Sequence, residues 1–143
     1  MNPSQENPEA DVNHTDREHR TSLHYAAKDG DLEAVRGLIE AGSQVIATDD
    51  GGYTPLHFAA QYLRPEVITL LIERGASLEA EDRWGNTPLW RATFSTTDDG
   101  AAVTVLLQAG ADPFHANRSG NSPITLARRI ANYSTAHLFD HLP

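Results

Sequence analysis

A short motif, Thr-Pro-Leu-His-x-Ala-Ala, returns along the chain at almost constant spacing, and nothing else in the sequence limits the fold so strongly. Its fullest copy is Thr54-Pro55-Leu56-His57-Phe58-Ala59-Ala60. Related copies begin at Thr21 (Thr21-Ser22-Leu23-His24-Tyr25-Ala26-Ala27), at Thr87 (Thr87-Pro88-Leu89-Trp90-Arg91-Ala92) and at Ser122 (Ser122-Pro123-Ile124-Thr125-Leu126-Ala127). Successive leading residues are 33, 33 and 35 positions apart. A fixed period in this range marks an array of stacked units, each too small to bury its own apolar face and each completing its core against a neighbour. A second set of positions keeps the same beat: Val35, Ile68 and Val103; Leu38-Ile39, Leu71-Ile72 and Leu106-Leu107; Gly42, Gly75 and Gly110. The two additional residues of the last interval therefore fall between Thr87 and Val103, in the turn joining the two helices of the third unit.

Within a unit the local signals agree. Thr54 suits an N-cap and Pro55 the first helical position, where a missing N–H costs nothing. Asp49-Asp50-Gly51-Gly52 upstream is a strong turn signal. Arg64-Pro65-Glu66 restarts a second helix by the same device, and Gly75 closes it as a left-handed cap. In the first unit Asp31 is the expected N-cap of a second helix whose Leu32, Val35, Leu38 and Ile39 form one apolar stripe.

The unit resembles the ankyrin repeat: a hairpin tip, a Thr-Pro-Leu-His-x-Ala-Ala inner helix, an outer helix with Val/Ile-x-x-Leu-Leu, then Gly-Ala. The resemblance implies an all-α solenoid of four stacked helix-turn-helix repeats with hairpin tips, at about 16–48, 49–81, 82–116 and 117–143. Residues 1–15 carry almost nothing to bury and are predicted to be a disordered or loosely packed tail. The first repeat departs from the pattern at His19, where Gly is usual, and at Ser22, where Pro is usual. The fourth is cut short, and its polar Arg128, Arg129, Asn132, His137 and His141 fit an end cap facing water.

Composition narrows the function classes. The net charge is −9, with 20 Asp/Glu against 11 Lys/Arg, which argues against nucleic-acid binding and favours a basic partner. With no cysteine, disulfides, thiol catalysis and cysteine-ligated zinc are excluded. No run of about 18 apolar residues predicts a membrane span, and the polar N-terminal stretch lacks an apolar signal core, so a cytoplasmic location is expected.

No catalytic, cofactor-binding or metal-binding residues are expected. By the resemblance, His24 and His57 are structural, tying an inner helix to neighbouring hairpin backbone. His137 and His141 are spaced i, i+4 on a predicted helix but lack a third ligand. Asp49-Asp50 and Asp98-Asp99 are adjacent carboxylates in turns, where capping explains them. Gly51-Gly52 lacks the length and the lysine of a phosphate loop.

What remains is recognition. Ankyrin-like stacks bind through their tips and the concave face of their inner helices, which on this chain implies Asp50, Tyr53, Tyr62, Asp82, Arg83, Trp84, Trp90, Arg91, Phe94 and Arg118 as partner-binding residues. Aromatics and Arg carry much of the energy of protein interfaces. The acids Asp49, Asp50, Glu79, Glu81, Asp82, Asp98 and Asp99 are expected to make this face negative, suiting a basic protein partner. The segment from Gly85 to Ala92 with its lengthened turn, followed by Asn117 to Ala127 and Ile130-Ala131-Asn132-Tyr133, is similar to small bacterial ankyrin proteins encoded beside polymorphic or contact-delivered toxins. That resemblance implies an immunity protein: a monomer forming a one-to-one complex over a toxin domain and blocking it without catalysis. The alternative is a regulatory or scaffold module on a cytosolic enzyme or secretion component.

Overall fold

The computed structural model describes residues 11–97, 99–130 and 133–142, and among these it is helical with no strand. Eight helices follow one another: α1 (Ser22–Asp29), α2 (Leu32–Glu40), α3 (Pro55–Gln61), α4 (Pro65–Glu73), α5 (Pro88–Ser95), α6 (Ala101–Gln108), α7 (Pro123–Arg129) and α8 (Tyr133–His137). They alternate between two rows. α1, α3, α5 and α7 pack side by side, α2, α4 and α6 pack behind them, and each odd helix also packs against the even helix that follows it. The result is the all-α solenoid that the period demands. None of these helices is long and apolar enough to cross a membrane.

Three of the four first-row helices, α3, α5 and α7, start the same way. Thr54 Oγ1 accepts from the His57 amide at 3.2 Å, Thr87 Oγ1 from the Trp90 amide at 3.2 Å, and Ser122 Oγ from the Thr125 amide at 3.3 Å. Pro55, Pro88 and Pro123 hold the first helical positions. In the second row Asp31 Oδ1 accepts from the Ala34 amide at 3.1 Å, the expected cap. The core lies between the rows and runs without a break along the stack: Leu23, Leu56, Leu89 and Ile124 from one row meet Val35, Ile68, Leu71, Val103 and Leu106 from the other, all essentially inaccessible.

The expected lengthening of the third repeat is where the period placed it: positions 96–100 join α5 to α6, against 62–64 between α3 and α4. The linker is anchored at both ends. Buried Thr96 donates through Oγ1 to the Ala92 carbonyl at 2.6 Å, and Asp99 Oδ1 accepts from the Ala101 amide at 3.1 Å. Asp98 lies outside the described residues, as do residues 1–10.

Asn13, in the stretch assigned to a disordered or loosely packed tail, contacts the first repeat: its Nδ2–H donates to the Gly42 carbonyl at 3.3 Å and its Oδ1 accepts from the Gln44 N–H at 2.8 Å. One expectation is corrected. His137 and His141 do not share a helix, because α8 ends at His137 and the following residues turn, with Asp140 Oδ2 2.7 Å from His137 Nδ1.

Candidate protein-binding surface

The tips that precede the first-row helices are built on one repeated residue. Asp49 Oδ1 accepts from the Gly51 and Tyr53 amides, each at 2.9 Å. Asp82 Oδ1 does the same for Trp84 at 2.9 Å and Asn86 at 3.0 Å, Asp16 for Glu18 and Arg20, and Asn117 for Ser119 and Asn121. Neighbouring tips are joined by single backbone bonds: Asp50 N–H to the Glu18 carbonyl at 3.0 Å, Arg83 N–H to Gly51 at 2.8 Å, Arg118 N–H to Trp84 at 3.0 Å. Where the third and fourth tips touch, an added side chain meets backbone. A Cβ on Gly85 would lie 2.9 Å from the Arg118 nitrogen, and its φ of +80° is one that glycine adopts freely.

The remaining carboxylate oxygen of each tip aspartate takes a side-chain partner. Arg91 grips Asp82 Oδ2 through Nε at 3.0 Å and Nη2 at 2.7 Å, from the fourth residue of α5. Tyr25 holds the same position in α1 and donates to Asp16 Oδ2. In the second repeat that position is Phe58, which has no donor, and Arg20 of the preceding repeat bonds Asp49 Oδ2 at 3.0 Å instead.

His24 and His57 are completely buried and link each helix to the next tip. The Thr54 amide donates to His57 Nδ1 at 3.1 Å, so that nitrogen bears no proton; Nε2–H then donates to the Asn86 carbonyl at 2.9 Å. His24 repeats this with the Thr21 amide at 3.0 Å and the Tyr53 carbonyl at 2.9 Å. Burial pushes both imidazoles below the ordinary histidine range, and both are held neutral. Neither is free to act as a base.

On this scaffold an aromatic ridge forms. Tyr53 stacks on Phe58 (centroids 5.6 Å, planes 10° apart) and leans on Trp84 at 6.2 Å. Phe58 continues to Tyr62 at 6.4 Å. Trp90 stacks on Phe94 (5.4 Å, 10°), one helical turn along α5. The guanidinium of Arg91 joins the two groups, 5.0 Å from the Tyr53 centroid and 5.5 Å from those of Trp84 and Trp90. Trp84 and Phe94 are 48% and 60% exposed, and Tyr62 is also exposed. Lys28 Nζ sits over Tyr62 at 5.3 Å and Arg83 over Trp84 at 5.3 Å.

Of the residues singled out in the sequence, the structure thus brings together Tyr53, Tyr62, Arg83, Trp84, Trp90, Arg91 and Phe94, and sets Arg118 beside Trp84 through the tip bond. Asp82 does not belong to an open surface. It is 2% exposed and fully engaged by its own tip and by Arg91. Asp50 is exposed at a different tip, 2.6 Å from His19 Nδ1. Tyr25 on α1, exposed and bonded to the first tip's Asp16, was missed; its register with Phe58 and Arg91 is the signal that points to it.

The acids expected to form a negative rim divide: Asp50, Glu81 and Asp99 are exposed, but others are engaged or buried. Asp49 and Asp82 are buried against Arg20 and Arg91, and His115 bridges Glu79 at 3.0 Å and Glu81 at 2.7 Å, which raises its pKa. Tips and first-row helices together, residues 16–29, 49–62, 82–95 and 117–130, contain eight Lys/Arg and six Asp/Glu. They are net +2, and the rest of the chain holds −11 of the total −9. The acidity lies elsewhere on the sequence than on this surface.

A protein-family model described as ankyrin repeats (3 copies) matches residues 5–82 and, in a second overlapping alignment, 48–117. The chain belongs to the ankyrin-repeat family. Its tips and first-row helices are accordingly the ankyrin hairpins and inner helices, and the histidine bridges are the inner-helix histidines of the repeat. Ankyrin arrays are in general protein–protein interaction modules rather than catalysts. No curated protein gives a match.

Proposed function

We propose that the protein is an immunity protein, which binds a cognate bacterial toxin domain in the cytoplasm and blocks it by occlusion. The observation that carries the binding reading is the ridge from Tyr62 through Tyr53, Trp84 and Arg91 to Trp90 and Phe94, because large aromatics left open on an ankyrin inner face are unsatisfied unless something covers them. The choice of a toxin rests on the likeness of the third and fourth repeats to ankyrin immunity proteins. Such a protein needs no chemistry of its own: a rigid array seated over a catalytic cleft excludes substrate, and as a monomer it neutralises one toxin per chain.

The test is affinity capture from the host cell with wild type and Trp84→Ala side by side, reading retained proteins by mass spectrometry. A toxin-like domain held at near one-to-one amounts by wild type, and at least tenfold less by the variant, is the expected result. A metabolic enzyme retained in its place refutes immunity, and equal retention by Trp84→Ala moves the interface off the ridge.

A further inference from the structure

The inner face is not electrically uniform. In the third and fourth repeats, tips and inner helices contain five arginines, Arg83, Arg91, Arg118, Arg128 and Arg129, and a single acid, Asp82. That acid is consumed by Arg91 inside the scaffold. The surface left by this cancellation is cationic, although the chain as a whole is strongly acidic. The first repeat, by contrast, offsets its cations with exposed Glu18 and Asp29.

The cations are placed around the aromatics. Arg83 is exposed and lies over Trp84. Arg118 is exposed on the next tip, its amide bonded to the Trp84 carbonyl and its Cγ 3.0 Å from where a Gly85 Cβ would stand. Neither guanidinium makes an ion pair among the described residues. Arg129 takes on α7 the register position of Phe94 on α5, one repeat along. An exposed indole is thus flanked by two unpaired planar forks, with a third at the far end of the neighbouring helix. Arg presents paired N–H donors that match a carboxylate, and it stacks without losing them.

We propose that the third and fourth repeats form a dock for an acidic protein segment, an aromatic or apolar side chain resting on Trp84 with carboxylates on Arg83 and Arg118. The inference rests on the inner-face reading above and replaces the basic partner expected from net charge. Long-range repulsion from an overall −9 slows the approach of an acidic partner, so affinity is gained at contact rather than by steering. A single-stranded nucleic acid offers phosphates and bases to the same groups. The same repulsion weighs against a uniformly charged polyanion far more than against a short acidic segment of a folded protein.

The test uses the full chain immobilised and panned against a phage-displayed random peptide library, with a fluorescein-labelled 20-nucleotide single-stranded DNA as a parallel probe. Expected are peptides enriched in Asp/Glu around an aromatic or apolar residue, whose binding falls at least tenfold in Arg83→Glu/Arg118→Glu and in Trp84→Ala. Both changes lie at exposed tip positions, and unchanged circular dichroism checks that the fold is kept. Basic peptides, or acidic ones indifferent to the double arginine change, overturn this proposal, and if Trp84→Ala still releases them the inner-face reading stands. DNA binding tighter than that of any selected peptide overturns it in favour of nucleic acid. No selected peptide, or peptides indifferent to all three positions, overturns both.

Discussion

Asp50 and Asp82 show how differently two acids of the same sequence character are used. Asp82 accepts from two backbone N–H groups and from two nitrogens of one arginine inside the protein, so Asp82→Ala strands two backbone donors and a largely buried guanidinium. Loss of one partner of such a pair costs about 3 kcal/mol or more. Asp50→Ala removes an exposed contact with His19 and is expected to change stability little. Urea unfolding of the two variants checks this, and equal midpoints would refute the assignment of Asp82 to the scaffold. The sequence shows that both residues are charged and lie in turns. It does not show which way each carboxylate points, and that alone separates a surface group from a hub. Trp90 is similar: its place in the motif is legible, but not that its indole N–H is enclosed without a hydrogen-bond partner among the described residues while its ring stacks on Phe94. The buried histidines give a second prediction at this scale. Their folded pKa values are lowered, so below about pH 6.5 the unfolded chain takes up protons that the folded chain refuses. Their contribution is therefore complete above that pH and is lost as pH falls toward the folded values. In His57→Gln, where the amide can still accept from the Thr54 N–H, the protein is less stable at pH 7.5. Its stability then falls less steeply between pH 6.5 and 5.5, by up to about 1.4 kcal/mol per pH unit. His115 acts with the opposite sign, since its raised pKa makes its contribution full below about pH 6.5 and lost as pH climbs through the folded value. An identical pH profile in His57→Gln would show that this imidazole is not held neutral.

At the scale of the element, helices were the most readable part of the chain, because α1–α5 and α7 each begin with an Asp, Thr or Ser cap, or a proline, and apolar residues recur every third or fourth position. Tips were readable as turns but not as a ladder. The bonds from Asp50, Arg83 and Arg118 to the tip before them use backbone atoms, and no residue type announces them. Their effect becomes visible through glycine. Gly85 and Gly120 both have positive φ, +80° and +83°, so an added Cβ strains either one, typically by about 1 kcal/mol. Only at Gly85 does the Cβ also strike a neighbouring tip, at 2.9 Å from backbone, whereas at Gly120 nothing lies within 4 Å. Gly85→Ala is accordingly expected to destabilise clearly more than Gly120→Ala in urea. Equal losses would mean that the third and fourth tips do not press together. His19 occupies this left-handed position in the first repeat at φ +61° despite its side chain, whose Nδ1 lies 2.6 Å from Asp50 Oδ1 on the second tip.

For the whole molecule, a stack in which each unit touches only its neighbours is as stable as its individual interfaces. Those interfaces are unequal here. His24 bonds the second tip and His57 the third, each through a buried, fully satisfied imidazole. Trp90 stands where the third such histidine would, its N–H without a partner among the described residues, and the third and fourth tips keep the backbone bond that all neighbouring tips share and add Asn117 Nδ2 to Asn86 Oδ1 at 2.8 Å. In the fourth repeat Arg128 takes the register position that Ala27, Ala60 and Thr93 bury in the other repeats, and it is itself exposed. Both features place the weakest point of the array between α5 and α7, next to the ridge. The trade is coherent: the residue that removes a structural link adds the ring that, with Phe94, extends the binding surface. Native-state hydrogen exchange on the full chain is expected to show α7 amides opening at lower free energy than those of α3, in a unit that includes the fourth tip. Trp90→His restores the bridging donor toward the Asn121 carbonyl. It is expected to slow exchange in α7 while leaving α1 and α3 unchanged, and to weaken partner binding by removing the stacked indole. If α7 exchanges as slowly as α3 in the wild type, the inner-helix histidine is not what couples one repeat to the next, and the ridge carries no cost in stability.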